Sequence, residues 1–211
     1  MRTEIHVLNI HAQINNSVEK YLDKFSIERQ EKILRYKFNP DRNRTVHAEL
    51  LAKNLISKIT GKSINEIHIS RNANGKPFCN VTGIFFSLSH SGCWVSCSIG
   101  TQPNGIDIEI ISKKIGLNIA KRFFLSNEYA NIKTLHDNKQ DWQKKFLEYW
   151  TIKESYLKCM NLSEWSNVDC EKLLNSKENI TARNFYLPDE SVIGICTDKE
   201  FMPEKIFIEN L

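Results

Sequence analysis

The chain has 211 residues, 41% of them apolar and 26% charged, a balance expected of a globular protein that can bury a core as one domain or as two of about 100 residues. No apolar run approaches the ~18 residues of a membrane span, and Met1 to His6 lacks the apolar core of a signal peptide, so a cytoplasmic location without membrane contact is expected. The net charge of +4 is spread along the chain, which excludes a strong argument for nucleic acid and suits an anionic ligand or partner.

Glu4 to Ile10 alternates as a first strand, and a basic helix or pair of helices follows. Asn39-Pro40-Asp41 has the chemistry of a helix start, with Asn39 as cap. Leu50, Leu51, Leu55, Ile56 and Ile59 supply that helix's apolar face until Gly61 stops it. Strands are predicted over Ile67 to Ser70, Ile84 to Leu88, Trp94 to Ile99 and Gly105 to Ile111, separated by Asn74-Gly75-Lys76-Pro77, His90-Ser91-Gly92 and Gln102-Pro103-Asn104 turns. Helices resume at Ile119 to Phe124, from about Ser126, and over Trp142 to Met160, the last with Phe146, Tyr149, Trp150, Leu157 and Met160 on its buried side. The tail returns to strand at Asn184 to Leu187, Ser191 to Thr197 and Lys205 to Glu209. Six cysteines show no paired metal-ligand spacing and read as buried, reduced thiols.

Chemistry concentrates in two segments. Asp107 and Glu109 are two apart in a β-branched run, so their carboxylates share one face of a strand while Ile106, Ile108 and Ile110 share the other. Glu154 and Lys158 are four apart on a helix, which stacks a third carboxylate and a cation on one side. Oxygen-only ligands from clustered acids suit Mg²⁺, a cation that shares its shell with substrate phosphates. Taken singly, the first pair reads equally as the solvated face of an edge strand, and the second as a surface ion pair.

Four segments, Gly75-Lys76-Pro77, Phe86 to Gly92, Gly105 to Glu109 and Trp150 to Lys158, resemble the Sfp-type 4′-phosphopantetheinyl transferases in order and spacing, with Ala120 to Phe124 between them. The resemblance spans roughly residues 29 to 160. It implies an α+β fold of two similar halves packed as a pseudo-dimer, divided here as 1–103 and 104–211, with coenzyme A in the cleft between them. The implied activity is transfer of the phosphopantetheine group of coenzyme A to a serine of an apo acyl or peptidyl carrier protein, by a cytoplasmic monomer.

By the same resemblance, Asp107, Glu109 and Glu154 hold Mg²⁺, with Mn²⁺ as the alternative, and Lys158 meets the diphosphate. Glu154, or a hydroxide on the metal, is the base. Arg44 and His90 match the clamp on the 3′-phosphate, Arg29 and Lys32 lie upstream at matching spacing, and Lys76 and Ser89 complete the pocket. Without the motif around it, His90 reads as a hydrogen-bonded turn histidine, and Arg29 and Lys32 read equally as a solvated helix face. Two rival functions remain: a metal-dependent nuclease, disfavoured by the four-residue helical spacing of Glu154 and Lys158, and a non-catalytic coenzyme A or carrier-protein binding module.

Overall fold

The structure, a computed structural model, describes residues 1–111, 117–135, 137–164, 168–176 and 178–210. Strand β1 (Glu4–Asn9) leads through two 3-10 turns to helices α1 (Ile27–Leu34) and α2 (Asn39–Thr60). A short hairpin, β2 (Ile69–Arg71) and β3 (Pro77–Cys79), precedes the long strands β4 (Phe85–Ser91) and β5 (Trp94–Gly100). Beyond them lie β6 (Asn104–Glu109), α3 (Leu117–Phe123), α4 (Ser126–Thr134), α5 (Lys139–Met160), α6 (Cys170–Leu174), β7 (Ile180–Tyr186), β8 (Val192–Asp198) and β9 (Ile206–Glu209).

The first sheet runs β4-β5-β1-β9 and the second β6-β8-β7. Neighbours are antiparallel except β1 and β9, which run parallel, so the last strand of the chain completes the sheet begun by the first. Each sheet carries one long helix. Ala48, Leu51, Ala52, Leu55 and Ile56 of α2 bury against Leu8, Phe86, Val95 and Ile99. Phe146, Tyr149, Ile152 and Cys159 of α5 bury against Val192 and Cys196. A third core lies between the sheets, where Ile5 and Val7 meet Ile106, Ile108, Ile193 and Ile195. The predicted apolar face of the Asp107 strand is therefore real. Among the described residues no helix is long and apolar enough to cross a membrane.

Local chemistry sets the ends of the two long helices. Helix α2 opens after Phe38 with Pro40 in its first turn, so Asn39 lies inside the helix and is not its side-chain cap. Its amide instead donates to the Asn15 carbonyl, 3.4 Å away. Gly61 ends the helix in the left-handed region at φ 71°, where a Cβ would be strained. Asn138 caps α5 by accepting from Gln140 and Asp141 nitrogens at 3.1 and 3.4 Å. Ile59 and Met160, expected on buried faces, are 41% and 42% exposed, each in the final turn of its helix. The Gly75-Lys76-Pro77 turn flanks a strand the alternation did not reveal, β3, which is only three residues long. All six cysteines are free, but Cys79 and Cys93 are only half-buried.

Helix α5 lies unusually close to the second sheet. At both Gly105 and Gly194 an added Cβ would overlap α5 backbone, at Ser155 and Cys159 in one case and at Thr151 in the other. The helix is also tied from its outer side by a fully buried ion pair, Lys153 Nζ to Glu128 Oε2 at 2.9 Å. Lys153 donates further to the Val168 carbonyl, and Glu128 accepts from the Cys170 nitrogen at 2.8 Å. Every polar group of the pair thus has a partner, the condition under which a buried ion pair can be tolerated.

The close approach makes a stability prediction. Gly194→Ala should destabilise the fold by about 1–3 kcal/mol, because the new methyl group meets rigid backbone, including the Ile152 nitrogen 2.8 Å away, and cannot be relieved by a rotamer change. Urea denaturation checks it, and an unchanged midpoint would mean that α5 and β8 are further apart than described.

Candidate active site

Alternation in Phe86-Ser87-Leu88-Ser89-His90-Ser91 puts three hydroxyls on one face of β4, and that face meets the open edge of β6. Ser87, Ser89 and Ser91 Oγ accept from the backbone nitrogens of Ile106, Ile108 and Ile110, each at 3.3 Å. The same hydroxyls pass their own protons to the acids. Ser89 donates to Asp107 Oδ1 at 2.8 Å and Ser91 to Glu109 Oε2 at 2.7 Å. Side-chain hydroxyls here replace the strand that an edge otherwise lacks.

From the opposite side, α5 delivers Lys158. Its ammonium donates to Asp107 Oδ1 at 2.7 Å and to the Ile106 carbonyl at 3.0 Å. Asp107 is buried, and its second oxygen, Oδ2, has no hydrogen-bond partner. Burial, and then the charge of Asp107, pushes the Glu109 carboxyl up to about 7, with the Ser91 hydrogen bond opposing. Burial and Asp107 likewise raise Glu154, against the pull of Lys158. Three acids therefore feel one another across a partly dry space.

That space is a cleft of about 530 Å³ walled by Arg29, Arg71, His90, Asp107, Glu109 and Lys158 among others. A companion cavity of about 360 Å³ shares Arg71 and Lys158 and adds Lys76, Ser87 and Glu154. A further cavity of about 360 Å³ lies on the far side of Arg29 and Glu49, around Lys53 and His68, and holds none of the three acids. The three acids, Lys158 and the unpartnered Asp107 Oδ2 all belong to residues that line the first two.

Among the described residues no group of three or more His, Cys, Asp or Glu side chains stands assembled to hold a metal ion. The residues nonetheless fit one. Asp107 presents a buried carboxylate oxygen without a partner among the described residues, and Glu109 and Glu154 are raised by burial and by the charge of Asp107, which Lys158 opposes. An all-oxygen donor set suits a hard divalent cation.

The cationic residues are placed unevenly. Arg29 walls the cleft but is held by the buried Glu49, with Nη2 and Nε 2.5 and 3.1 Å from its carboxylate oxygens. Lys32 is not brought to the cleft: it pairs with Glu28 at 2.7 Å on an exposed helix face and borders a separate surface pocket. Arg44 donates to the Gly92 carbonyl at 3.0 Å and to Asp41. It sits near His90, whose imidazole is held below its ordinary pKa by desolvation and then by the charges of Arg44 and Lys158. Lys76 donates to the carbonyls of Asn104 and Cys159, both at 3.3 Å, and burial lowers its ammonium pKa.

Sequence reasoning missed Arg71, which shares Glu49 with Arg29 at 2.7 Å and faces both cavities. It also missed Ser87 and Ser91, although their period-two spacing with Ser89 was the available signal.

Comparison with known proteins agrees with this architecture. A model of the 4′-phosphopantetheinyl transferase superfamily matches residues 103–199, and one described as 4′-phosphopantetheinyl transferase, N-terminal, matches residues 14–101. The 4′-phosphopantetheinyl transferase gsp of Aneurinibacillus migulanus is 35% identical over 156 residues, covering 72% of this chain and 64% of that protein. Its counterpart Sfp of Bacillus subtilis (strain 168) is 36% identical over 141 residues, covering 66% and 62%. HetI of Nostoc sp. is 32% identical over 130 residues, covering 59% and 54%. In each case the match spans less than two thirds of the relative's own length. The chain belongs to the 4′-phosphopantetheinyl transferase superfamily.

The raised Glu109 predicts a pH-dependent stability in the absence of metal. Its folded pKa of about 7 lies above the ordinary 4.5, so ionised Glu109 destabilises the fold fully above pH 7, and that cost fades as pH falls toward 4.5. Glu109→Gln should therefore stabilise the protein by about 1–3 kcal/mol at pH 8 in a chelator and leave it unchanged near pH 4.5. Equal urea midpoints for both proteins at pH 8 would show that Glu109 is not desolvated as described.

Proposed function

We propose that this chain transfers the 4′-phosphopantetheine group of coenzyme A to a serine hydroxyl of an apo acyl or peptidyl carrier protein and releases adenosine 3′,5′-bisphosphate. The observation that carries this reading is the buried, half-satisfied Asp107, held between Ser89 and Lys158 in a cation-walled cleft of a chain from this superfamily. Asp107, Glu109 and Glu154 would hold Mg²⁺ or Mn²⁺. When bound, the cation neutralises these acids and draws charge from the diphosphate oxygens.

The remaining roles belong to the protein's own groups. The serine oxygen attacks the phosphorus next to pantetheine, and the bond from that phosphorus to the oxygen of the nucleotide phosphate breaks. Glu154, which α5 turns toward Asp107 and the cleft, takes the serine proton. Lys158 offers a fixed ammonium where the departing phosphate gathers charge, and such preorganised charge is worth more in a dry site than in water. Ser89, Lys76 and His90 border the anion, Arg44 supports His90 at the 3′-phosphate, and Arg29 with Arg71 carries the positive wall onward. Lys32, paired on its exposed face, would meet the ligand only by leaving Glu28.

We further propose that residues 1–103 and 104–211 form two related halves, a pseudo-dimer. The long helix laid on an antiparallel sheet in each supports this, with β9 of the second half closing the sheet of the first. Such a chain assembles its cleft from itself, as a monomer in the cytoplasm.

Incubation with coenzyme A, Mg²⁺ and an apo carrier protein should increase the carrier mass by one phosphopantetheine. A chain that binds coenzyme A while a panel of acyl and peptidyl carriers stays unmodified would be a binding module instead. Asp107→Ala should lower the rate by two to four orders of magnitude, about 3–5 kcal/mol, without unfolding the protein. Full activity of the folded variant would remove Asp107 from the mechanism.

Lys158→Ala should reduce kcat more than it raises KM for coenzyme A, since its charge matters most as the leaving group forms. A raised KM at normal kcat would make Lys158 a ground-state clamp.

A further inference from the structure

Two thiols that the proposed transfer does not use lie side by side beneath the cleft. Cys196 on β8 is the register partner of Gly105 on β6, so both project toward the same face of the sheet. That face is covered by α5 where a Cβ at Gly105 would strike the Cys159 backbone nitrogen. The glycine gap therefore brings Cys159 down beside Cys196, with the Cys159 Sγ donating to the Pro103 carbonyl at 3.6 Å. Both are free and buried.

The third member is Lys76. Its ammonium is anchored on the Asn104 and Cys159 carbonyls, 3.3 Å from each, and among the described residues no carboxylate lies within ion-pair distance of it. A desolvated ammonium facing two sulfurs stabilises a thiolate. Cys159 is the thiol that benefits: the neighbouring Cys196 thiol, and then Lys76, hold it below the ordinary thiol range against the opposing effect of burial. The Cys196 proton is held correspondingly tightly. Cys159 is also reachable, because it borders a surface groove of about 320 Å³ with Lys76, Pro77, Phe85, Pro103 and Asn161.

We propose that Cys159 and Cys196 form an oxidisable dithiol, closed to a disulfide by a low-molecular-weight disulfide that enters along this groove. Cys159 thiolate attacks one sulfur of the oxidant, giving a mixed disulfide and one small thiol. Cys196 then loses its proton, attacks the Cys159 sulfur and expels the second small thiol, so two protein thiols are oxidised and one disulfide is reduced to two thiols. Helix α5 and sheet strand β8 become covalently joined at the residue that follows Lys158. The thiolate counter-charge of Lys76 disappears at the same time. Both changes bear on the proposed cleft, so closure lowers transfer activity; this consequence rests on the function proposed above, whereas the dithiol chemistry does not.

The test is to treat the intact protein with glutathione disulfide, digest it and map disulfide-linked peptides by mass spectrometry. A Cys159–Cys196 link that dithiothreitol removes is expected, together with a loss of about 10- to 100-fold in transfer rate that returns on reduction, the scale of a small misplacement at a reacting centre. Cys159→Ser, which lacks the attacking sulfur, should form no such link and keep its activity through the same treatment. Links confined to the half-buried Cys79 and Cys93, or no link at all, overturn the proposal whatever the activity. A mapped Cys159–Cys196 link with unchanged transfer rate overturns its effect on the cleft, and the failure of untreated protein to modify any carrier refutes the functional reading alone.

Discussion

Six hydrogen-bonding groups, the hydroxyls of Ser87, Ser89 and Ser91 and the edge amides of Ile106, Ile108 and Ile110, hold the two sheets together where the chemistry sits. Strand β6 is at the edge of its sheet, and an unpaired edge buried against another layer would leave donors unsatisfied at a cost of about 1–3 kcal/mol each. A neighbouring backbone would solve that problem but would fill the space. Hydroxyls solve it at the reach of a side chain, and those of Ser89 and Ser91 keep a proton to donate to an acid. Asp107 and Glu109 are oriented by the same atoms that join the two sheets, so the acids cannot be moved without loosening the sheet contact.

Helix α5 answers from the other side, and its motif divides by face. Lys153 points away from the cleft into the Glu128 pair and is structural, whereas Glu154 and Lys158 point toward Asp107. Gly105 and Gly194 let the helix lie low enough for an ammonium on a lysine stem to reach Asp107. A larger residue at either glycine would lift the helix and open the Lys158 contact. Two glycines on strands and one buried ion pair on the outer face thus set a distance at the site.

Period-two alternation was a good guide to β1, β4, β5 and β6 because opposite faces of each strand meet different neighbours and so carry different side chains, even in β5, which is buried throughout. The acids and Lys158 were legible for the same reason: their spacing follows from strand and helix geometry. What escaped the sequence was non-local. β3 is too short to show a period, and the parallel pairing of β9 with β1 joins residues about 200 positions apart. Arg71 carries no periodic signal of its own: it is Glu49, buried on α2, that draws both Arg71 and Arg29 onto the cleft wall. Lys32 shows the converse, since spacing along a helix names a face but not what that face meets.

The metal-free site also carries an internal constraint on how it would work. Lys158 now holds Asp107 Oδ1, the only counter-charge within ion-pair distance of that acid among the described residues, while Oδ2 is left without a partner. An ammonium donating to one carboxylate oxygen only partly offsets the burial and mutual repulsion that raise Glu109 and Glu154. A divalent charge would relieve all three acids at once and leave Lys158 freer to turn toward an incoming phosphate. On the proposed reading, Lys158 orients Asp107, and cation and substrate would bring charges that match the three acids better.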